Sequence, residues 1–179
     1  MKFLFSWKGI LIAVIILIIL IVILIDFRVN GYARYDKLEE FDFKLCFGTY
    51  GMQNIDTFEN TVTKNLVLSG TITSEYVMPE HIKRQIYKMM RDMDILEFPT
   101  KLELPIVDED KANNIILTVV IDGVEKTVEC KVPWGYKLRG IGTTPVRIYQ
   151  FLTLTGYIEN SVYKSGDWQD LPKSVGGYL

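Results

Sequence analysis

The stretch that decides the fold is IILTVVIDGVEKTVECKV, residues Ile115–Val132. Residues typical of β-strands stand on both sides of Asp122-Gly123, and this dipeptide supplies the positive φ angles of a two-residue type I′ turn. The turn predicts an antiparallel hairpin and fixes its register. On one face the predicted pairs are Ile121 with Val124, Leu117 with Val128 and Ile115 with Cys130, and on the other they are Thr118 with Thr127 and Ile116 with Glu129.

Upstream of the hairpin, Phe41–Phe47 alternates aromatic and aliphatic residues with polar ones, which is the period of a half-buried strand. This strand places Cys46 on the face opposite the phenylalanines. Turn residues through Asp56 follow it, and Thr57–Leu68 and Thr71–Val77 are predicted as two further strands separated at Ser69-Gly70. The three strands are expected to form a meander.

Two helices are predicted, one on each side of the hairpin in the chain. The first begins at Pro79 and runs through Asp94, with an apolar stripe and an opposite basic face. The second is capped by Thr144, opens at Pro145 and runs through about Thr155 to Gly156. The apolar stripe consists of Ile82, Ile86, Met89, Met90 and Met93, and the basic face of Lys83, Arg84, Lys88 and Arg91.

The predicted fold class is therefore α+β. We expect an antiparallel sheet of about five strands in the order β-β-β-α-β-β-α, with the two helices packed on one face. Residues 98–110 are predicted as a loop with an acidic tip, and the last twenty residues as a tail laid on the domain.

An unbroken apolar run, Ile10–Ile25, precedes this domain. A run of this length without polar residues predicts a transmembrane helix, which we favour over a cleaved signal peptide. The expected organisation is an N-terminal tail and anchor over residues 1–27, a stalk over 28–40 and a soluble α+β domain with a C-terminal tail over 41–179.

The apolar run also predicts a location: a single-pass protein in the cell membrane, with the lipid bilayer as a partner. The resemblance of the first residues to a signal sequence favours an extracytoplasmic domain. Basic residues on the downstream side, Arg28, Arg34 and Lys37, leave a cytoplasm-facing domain as the alternative.

Charge and cysteine content narrow the classes of partner and cofactor. With 20 basic and 22 acidic residues the formal net charge is -2, which argues against a nucleic-acid partner. Cys46 and Cys130 stand in no Cys-x-x-Cys or His-rich context, so either a disulfide or two separate thiols is compatible with the sequence, and the second is favoured.

The sequence carries no recognisable catalytic signature. The single histidine, His81, lies just after Pro79 and is expected at the surface, with no nucleophile or metal ligand at a meaningful spacing. Gly140-Ile141-Gly142 has neither the spacing nor the context of a phosphate-binding loop. We therefore predict no metal, no cofactor and no enzyme activity. A cell-envelope hydrolase with an unidentified pair of carboxylates is the alternative.

Aromatic residues are concentrated toward the C-terminus, and four of them form the predicted binding site: Trp134, Tyr136, Tyr163 and Trp168. Flat rings of this kind stack on sugars or anchor protein partners. The structural alternative is that they fasten the tail onto the sheet, and this alternative is favoured.

Three groups of residues together resemble a known group of proteins: Phe41-Asp42-Phe43 leading to Asn54–Phe58 and Thr63–Leu66; Ile86–Met90 with Asp94-Ile95; and Trp168–Pro172 followed by Gly176-Gly177-Tyr178. They resemble small uncharacterised proteins of Gram-positive bacteria that carry a signal peptide or a single anchor helix. The resemblance implies a location and no activity. The sequence thus predicts a membrane-anchored extracytoplasmic domain that binds or supports an envelope component, with a protein or a polysaccharide as partner.

Overall fold

The structure is a computed structural model that describes residues 13–22, 38–104, 112–133, 136 and 144–176. The chain divides into two compact units, Met1–Lys37 and Leu38–Leu179. In the first unit the described residues form a single helix, α1, over residues 13–22.

The predicted transmembrane anchor is contradicted. Among the described residues no helix combines the length and the apolar character needed to cross a membrane. Residues 10–12 and 23–25 of the apolar run, and most of the predicted stalk, lie outside the described residues. The single-pass membrane location that was predicted from this run is corrected with it.

The second unit contains a sheet, three α-helices and two short 3-10 helices within its described residues. The strands are β1 (Phe41–Phe47), β2 (Gln53–Asp56), β3 (Thr61–Asn65), β4 (Thr71–Glu75), β5 (Lys101–Glu103), β6 (Ala112–Ile121) and β7 (Val124–Pro133). The helices are α2 (Glu80–Asp92), α3 (Val146–Tyr163) and α4 (Gly166–Gln169), with 3-10 helices at Leu38–Glu40 and Ile95–Glu97.

The α+β class is confirmed, but the predicted sheet is wrong in two respects. The seven strands are ordered β4-β3-β2-β1-β6-β7-β5, not about five. The sheet is also mixed, because β5 pairs in parallel with β7 while the other neighbours are antiparallel. Both strands that the sequence did not predict are short: β2 was assigned to a turn and β5 to a loop.

The hairpin of β6 and β7 has the predicted register. Every predicted pair is present, including Ile115 with Cys130 and Ile121 with Val124. Asp122 and Gly123 both have positive φ angles, 51° and 76°, as a type I′ turn requires. The predicted hairpin is therefore confirmed. Its two-residue loop fixes the register of the two strands.

The core lies on one face of the sheet. Four alternate side chains of β1 are at most 1% exposed and point to this face: Phe41, Phe43, Leu45 and Phe47. Phe41 contacts Tyr87 of α2 at 5.0 Å between ring centroids, and Phe47 contacts Tyr163 of α3 at 6.1 Å. Both helices therefore lie against the same sheet face.

The largest departure from the predicted helix bounds is at the end of α3. The predicted N-terminal cap of α3 is also wrong, because the N-cap residue is Pro145, without a side-chain hydrogen bond, and not Thr144. Helix α3 continues through Gly156 to Tyr163, two turns beyond the predicted end. The apolar residues Ile158 and Val162 are fully buried there, and their burial outweighs the roughly 1 kcal/mol that glycine costs inside a helix. At the other end of α3, Arg147 donates to the Met93 carbonyl at 2.6 Å and ties the start of α3 to the end of α2.

Basic side chains of α2 form ion pairs. Lys83 Nζ lies 2.6 Å from the Asp42 carboxylate, and Arg91 lies 2.8 Å from Asp122 in the hairpin turn. Arg84 pairs with Glu80 four residues earlier on the same helix. These contacts connect the helix to β1 and to the β6–β7 turn.

The two cysteines are free thiols on opposite faces of the sheet. Cys46 is half-buried on the face away from the helices, and Cys130 is fully buried in the core, each where the strand pattern predicts it. Of the two possibilities that the sequence left open, the structure has separate thiols.

Candidate functional site

The predicted aromatic site is only partly described. Trp134 lies outside the described residues, as do the predicted acidic tip and Gly140-Ile141-Gly142. Tyr136 is half-buried, with its hydroxyl 3.1 Å from the Thr144 hydroxyl. The structure brings Tyr163 and Trp168 together, with ring centroids 5.0 Å apart.

The Tyr163 and Trp168 rings pack on each other and on the sheet. Trp168 is only 8% exposed, and the Lys64 ammonium group lies 5.3 Å from the centre of its ring. Lys64 also donates to the Leu171 carbonyl at 3.4 Å, which holds the start of the tail. This packing matches the alternative in which the rings fasten the C-terminal segment. A binding role for Trp134, Tyr136, Tyr163 and Trp168 stays a prediction.

One carboxyl group near these rings has a shifted pKa. Glu159 is half-buried on α3, and burial raises its pKa to about 7. Tyr163 follows one turn later, and its pKa is raised by burial first and by Glu159 second. No charged neighbour contributes to the shift of Glu159 among the described residues, so no second carboxylate is identified for the predicted hydrolase alternative.

A shallow groove lies between α2 and α3, with a volume of about 260 Å³. It is lined by Met89, Asp92, Met93, Tyr149, Gln150 and Thr153. The Thr153 hydroxyl donates to the Tyr149 carbonyl at 2.8 Å, and Gln150 Oε1 is buried without a hydrogen-bond partner. The surface of the groove is mainly apolar.

Metal ligation has no support in the part of the chain that the structure describes, where no group of three or more His, Cys, Asp or Glu side chains converges. His81 is exposed near the start of α2, as the sequence predicts.

The feature with the clearest potential for recognition is the outer edge of β4, the strand at one end of the sheet. We call the outward backbone groups of Thr71, Thr73 and Glu75 the β4 edge. Tyr76 N–H donates to the Asn60 carbonyl and Leu66 N–H to the Gly70 carbonyl, each at 2.8 Å.

These two bonds fix which residues of β4 face outward, because hydrogen-bonded and non-hydrogen-bonded pairs alternate along an antiparallel ladder. Ile72 and Ser74 are therefore bonded to β3, while the N–H and C=O groups of Thr71, Thr73 and Glu75 point away from it. The close approach of the Thr63 and Thr73 hydroxyls, 2.8 Å, fits a non-hydrogen-bonded pair. Thr71, Thr73 and Glu75 are all exposed.

Apart from the charged Glu75 at its end, the β4 edge lacks the features that usually prevent pairing with another strand. Its register with β3 runs without a bulge over five residues, and β4 contains neither lysine nor proline. The opposite edge of the sheet is different, because β5 has only three residues, two of them the charged Lys101 and Glu103. The two edges are thus not equivalent.

Exposed aliphatic side chains lie at both ends of the β4 edge. Leu68, in the turn before β4, is 76% exposed, and Val77, just after β4, is 66% exposed. The turn is strained, because Val67 has a φ of 64°, which a β-branched residue rarely adopts. The tail lies beside this turn: Val175 N–H donates to the Leu66 carbonyl at 3.3 Å.

Sequence reasoning found β4 as a strand but not as an edge. The polar composition of Thr71–Glu75 is the available signal, since a strand without a strong apolar face is typical of the end of a sheet. Comparisons with protein families, with curated proteins and with solved structures find no match for this chain.

Proposed function

We propose that this protein is a polypeptide-binding domain that takes up an extended segment of a partner chain as an additional strand beside β4. The observation that carries the proposal is the β4 edge. Thr71, Thr73 and Glu75 present outward backbone donors and acceptors in strand geometry, and among the described residues no strand pairs with this side of β4.

The backbone supplies the affinity in this mode of recognition. An antiparallel segment can exchange two hydrogen bonds with each outward residue, or about six in all. Each contributes about 0.5–1.5 kcal/mol net, which offsets part of the cost of ordering the bound segment. The sheet is already formed, so β4 itself loses little freedom on binding.

The two ends of the edge supply apolar anchors. Leu68 and Val77 leave most of their side chains in water, and a bound segment that covers them removes that surface from solvent. Specificity then comes from the side chains that the segment places over Leu68, Val77 and the threonine row.

The test is peptide binding to the full-length chain. The probe is a fluorescein-labelled peptide of alternating threonine and valine, about ten residues long, with a lysine at each end. We expect its fluorescence anisotropy to rise with protein concentration. A matched peptide with alternate amides N-methylated cannot form the ladder and is expected not to bind.

Two variants locate the site. Thr73→Pro removes an outward N–H that the sheet does not use, so the fold is retained while the ladder is interrupted. We expect it to weaken binding by about tenfold or more. The control is Glu103→Lys on the opposite edge, which should bind as the wild type does. Equal affinities of the three proteins, or equal binding of the N-methylated peptide, would refute the proposal.

A further inference from the structure

We infer that the segment added at the β4 edge is β4 of a second copy of this chain. This inference rests on the proposed function and names its partner. The two strands run antiparallel about a two-fold axis at Thr73, so that Thr73 faces Thr73 of the second copy, and Thr71 faces Glu75 of the second copy.

The backbone of β4 fits itself in this register. The outward residues are spaced symmetrically about Thr73, so each outward N–H meets an outward C=O of the second copy. About six backbone hydrogen bonds result, and the bonds between β3 and β4 are not disturbed. If the two strands were shifted by one residue, the outward backbone groups of one copy would face backbone groups of the other copy that are already bonded to β3. The register with Thr73 opposite Thr73 is therefore favoured.

The side chains also agree with the two-fold arrangement. The Thr63–Thr73 hydroxyl contact of 2.8 Å would extend into a row of four threonines across the two copies. The only charged side chain of β4 is Glu75, and its opposite residue is Thr71, so like charges do not face each other.

The exposed aliphatic residues are placed for the same symmetry. Leu68 precedes Thr73 by five residues and Val77 follows it by four. A two-fold axis at Thr73 therefore places the turn that carries Leu68 of one copy near Val77 of the other. The same contact occurs at both ends of the paired strands. An unrelated partner would need its own apolar residues at both spacings, whereas this chain already has them.

The experiment is disulfide trapping in the full-length chain, with Cys46→Ser as the background because Cys46 is half-buried and Cys130 is not exposed. Thr73→Cys places two thiols opposite each other at the symmetric position, where Cα atoms of a hydrogen-bonded pair are about 5.5 Å apart and within disulfide range. Glu75→Cys is the matched control, because its own symmetry mate is several residues away.

We expect oxidation to link Thr73→Cys into dimers at least about tenfold faster than Glu75→Cys. Mixing Thr71→Cys with Glu75→Cys should give a mixed dimer, since these positions face each other in the predicted register. Equal rates for the two single variants, or no dimer from either, would overturn the inference.

The two proposals fail in different ways. If the threonine–valine peptide binds and Thr73→Pro weakens it, but Thr73→Cys is not trapped, then the β4 edge binds another polypeptide and the second-copy inference is wrong. If neither peptide binding nor trapping occurs, both proposals are wrong.

Discussion

The half-buried carboxyl group of Glu159 gives the most quantitative prediction. It lies on α3 one turn before Tyr163, and burial raises its pKa from 4.5 to about 7. Burial penalises the charged form of a carboxyl group, and none of the described cations compensates for this penalty. The ionised side chain is therefore a cost to the folded protein at neutral pH.

The sign follows from proton binding. Between pH 4.5 and pH 7 the folded state holds the Glu159 proton more tightly than the unfolded state does, so the free energy of unfolding falls as the pH rises through this window. The loss is complete above the folded-state pKa. Raising the pKa from 4.5 to about 7 corresponds to about 3 kcal/mol as an order of magnitude, because a tenfold change in proton affinity is worth about 1.4 kcal/mol.

The assay is urea unfolding of the wild type and of Glu159→Gln at pH 5 and pH 8. The glutamine keeps the size of the side chain and cannot ionise. Between pH 5 and pH 8 the free energy of unfolding of the variant should therefore fall by up to about 3 kcal/mol less than that of the wild type, and the variant should be the more stable protein at pH 8. Glu97→Gln, at an exposed position, is the control and should retain the wild-type pH dependence. The same pH dependence in Glu159→Gln and wild type would refute the reasoning.

Three further predictions concern stability and reactivity. Thr57→Val should lower the free energy of unfolding by about 2 kcal/mol in urea titrations, because the buried Thr57 hydroxyl accepts a hydrogen bond from Phe43 N–H at 2.8 Å. An unchanged free energy of unfolding would contradict this prediction. Val67→Gly should raise the free energy of unfolding by about 1 kcal/mol, because glycine relieves the strain of a φ of 64°. A lower free energy of unfolding would show that the packing of the valine side chain contributes more than the strain costs. A thiol reagent at pH 8 should label Cys46 in the native protein and Cys130 only after unfolding. The reason is that Cys130 is not exposed and that burial raises its pKa to about 11. Labelling of both thiols at the same rate would contradict this prediction.

The parts of the fold that could be predicted are those fixed by local sequence. The β6–β7 register follows from Asp122-Gly123, because a two-residue loop sets every pair beyond it. The buried face of β1 follows from strict alternation over Phe41–Phe47. Helix α2 follows from its apolar stripe and from Pro79, which directly precedes its first residue.

The strands that were missed depend on neighbours rather than on their own sequences. Gln53–Asp56 has no apolar alternation and becomes β2 because the tight turn after β1 returns the chain alongside it. Lys101–Glu103 becomes β5 because the chain passes the free edge of β7, where Glu129 N–H donates to the Thr100 carbonyl at 2.8 Å. Tertiary context decides such short segments.

The candidate site could be predicted even less than the fold. The aromatic residues attracted attention because rings of this kind often bind ligands, yet the described pair Tyr163 and Trp168 is largely covered by its own packing. The β4 edge carries no unusual residue. Its importance arises from the position of β4 at the end of the sheet, and a strand order cannot be read from composition.

Backbone amide hydrogen exchange tests the central claim most directly, measured with and without saturating threonine–valine peptide in protein dilute enough to be monomeric. The outward amides of Thr71, Thr73 and Glu75 should exchange at least about tenfold more slowly when the peptide is bound, because each gains a hydrogen-bond acceptor. The amides of Ile72 and Ser74, already bonded to β3, should change little. Unchanged exchange at Thr71, Thr73 and Glu75 in the presence of bound peptide would contradict strand addition at β4.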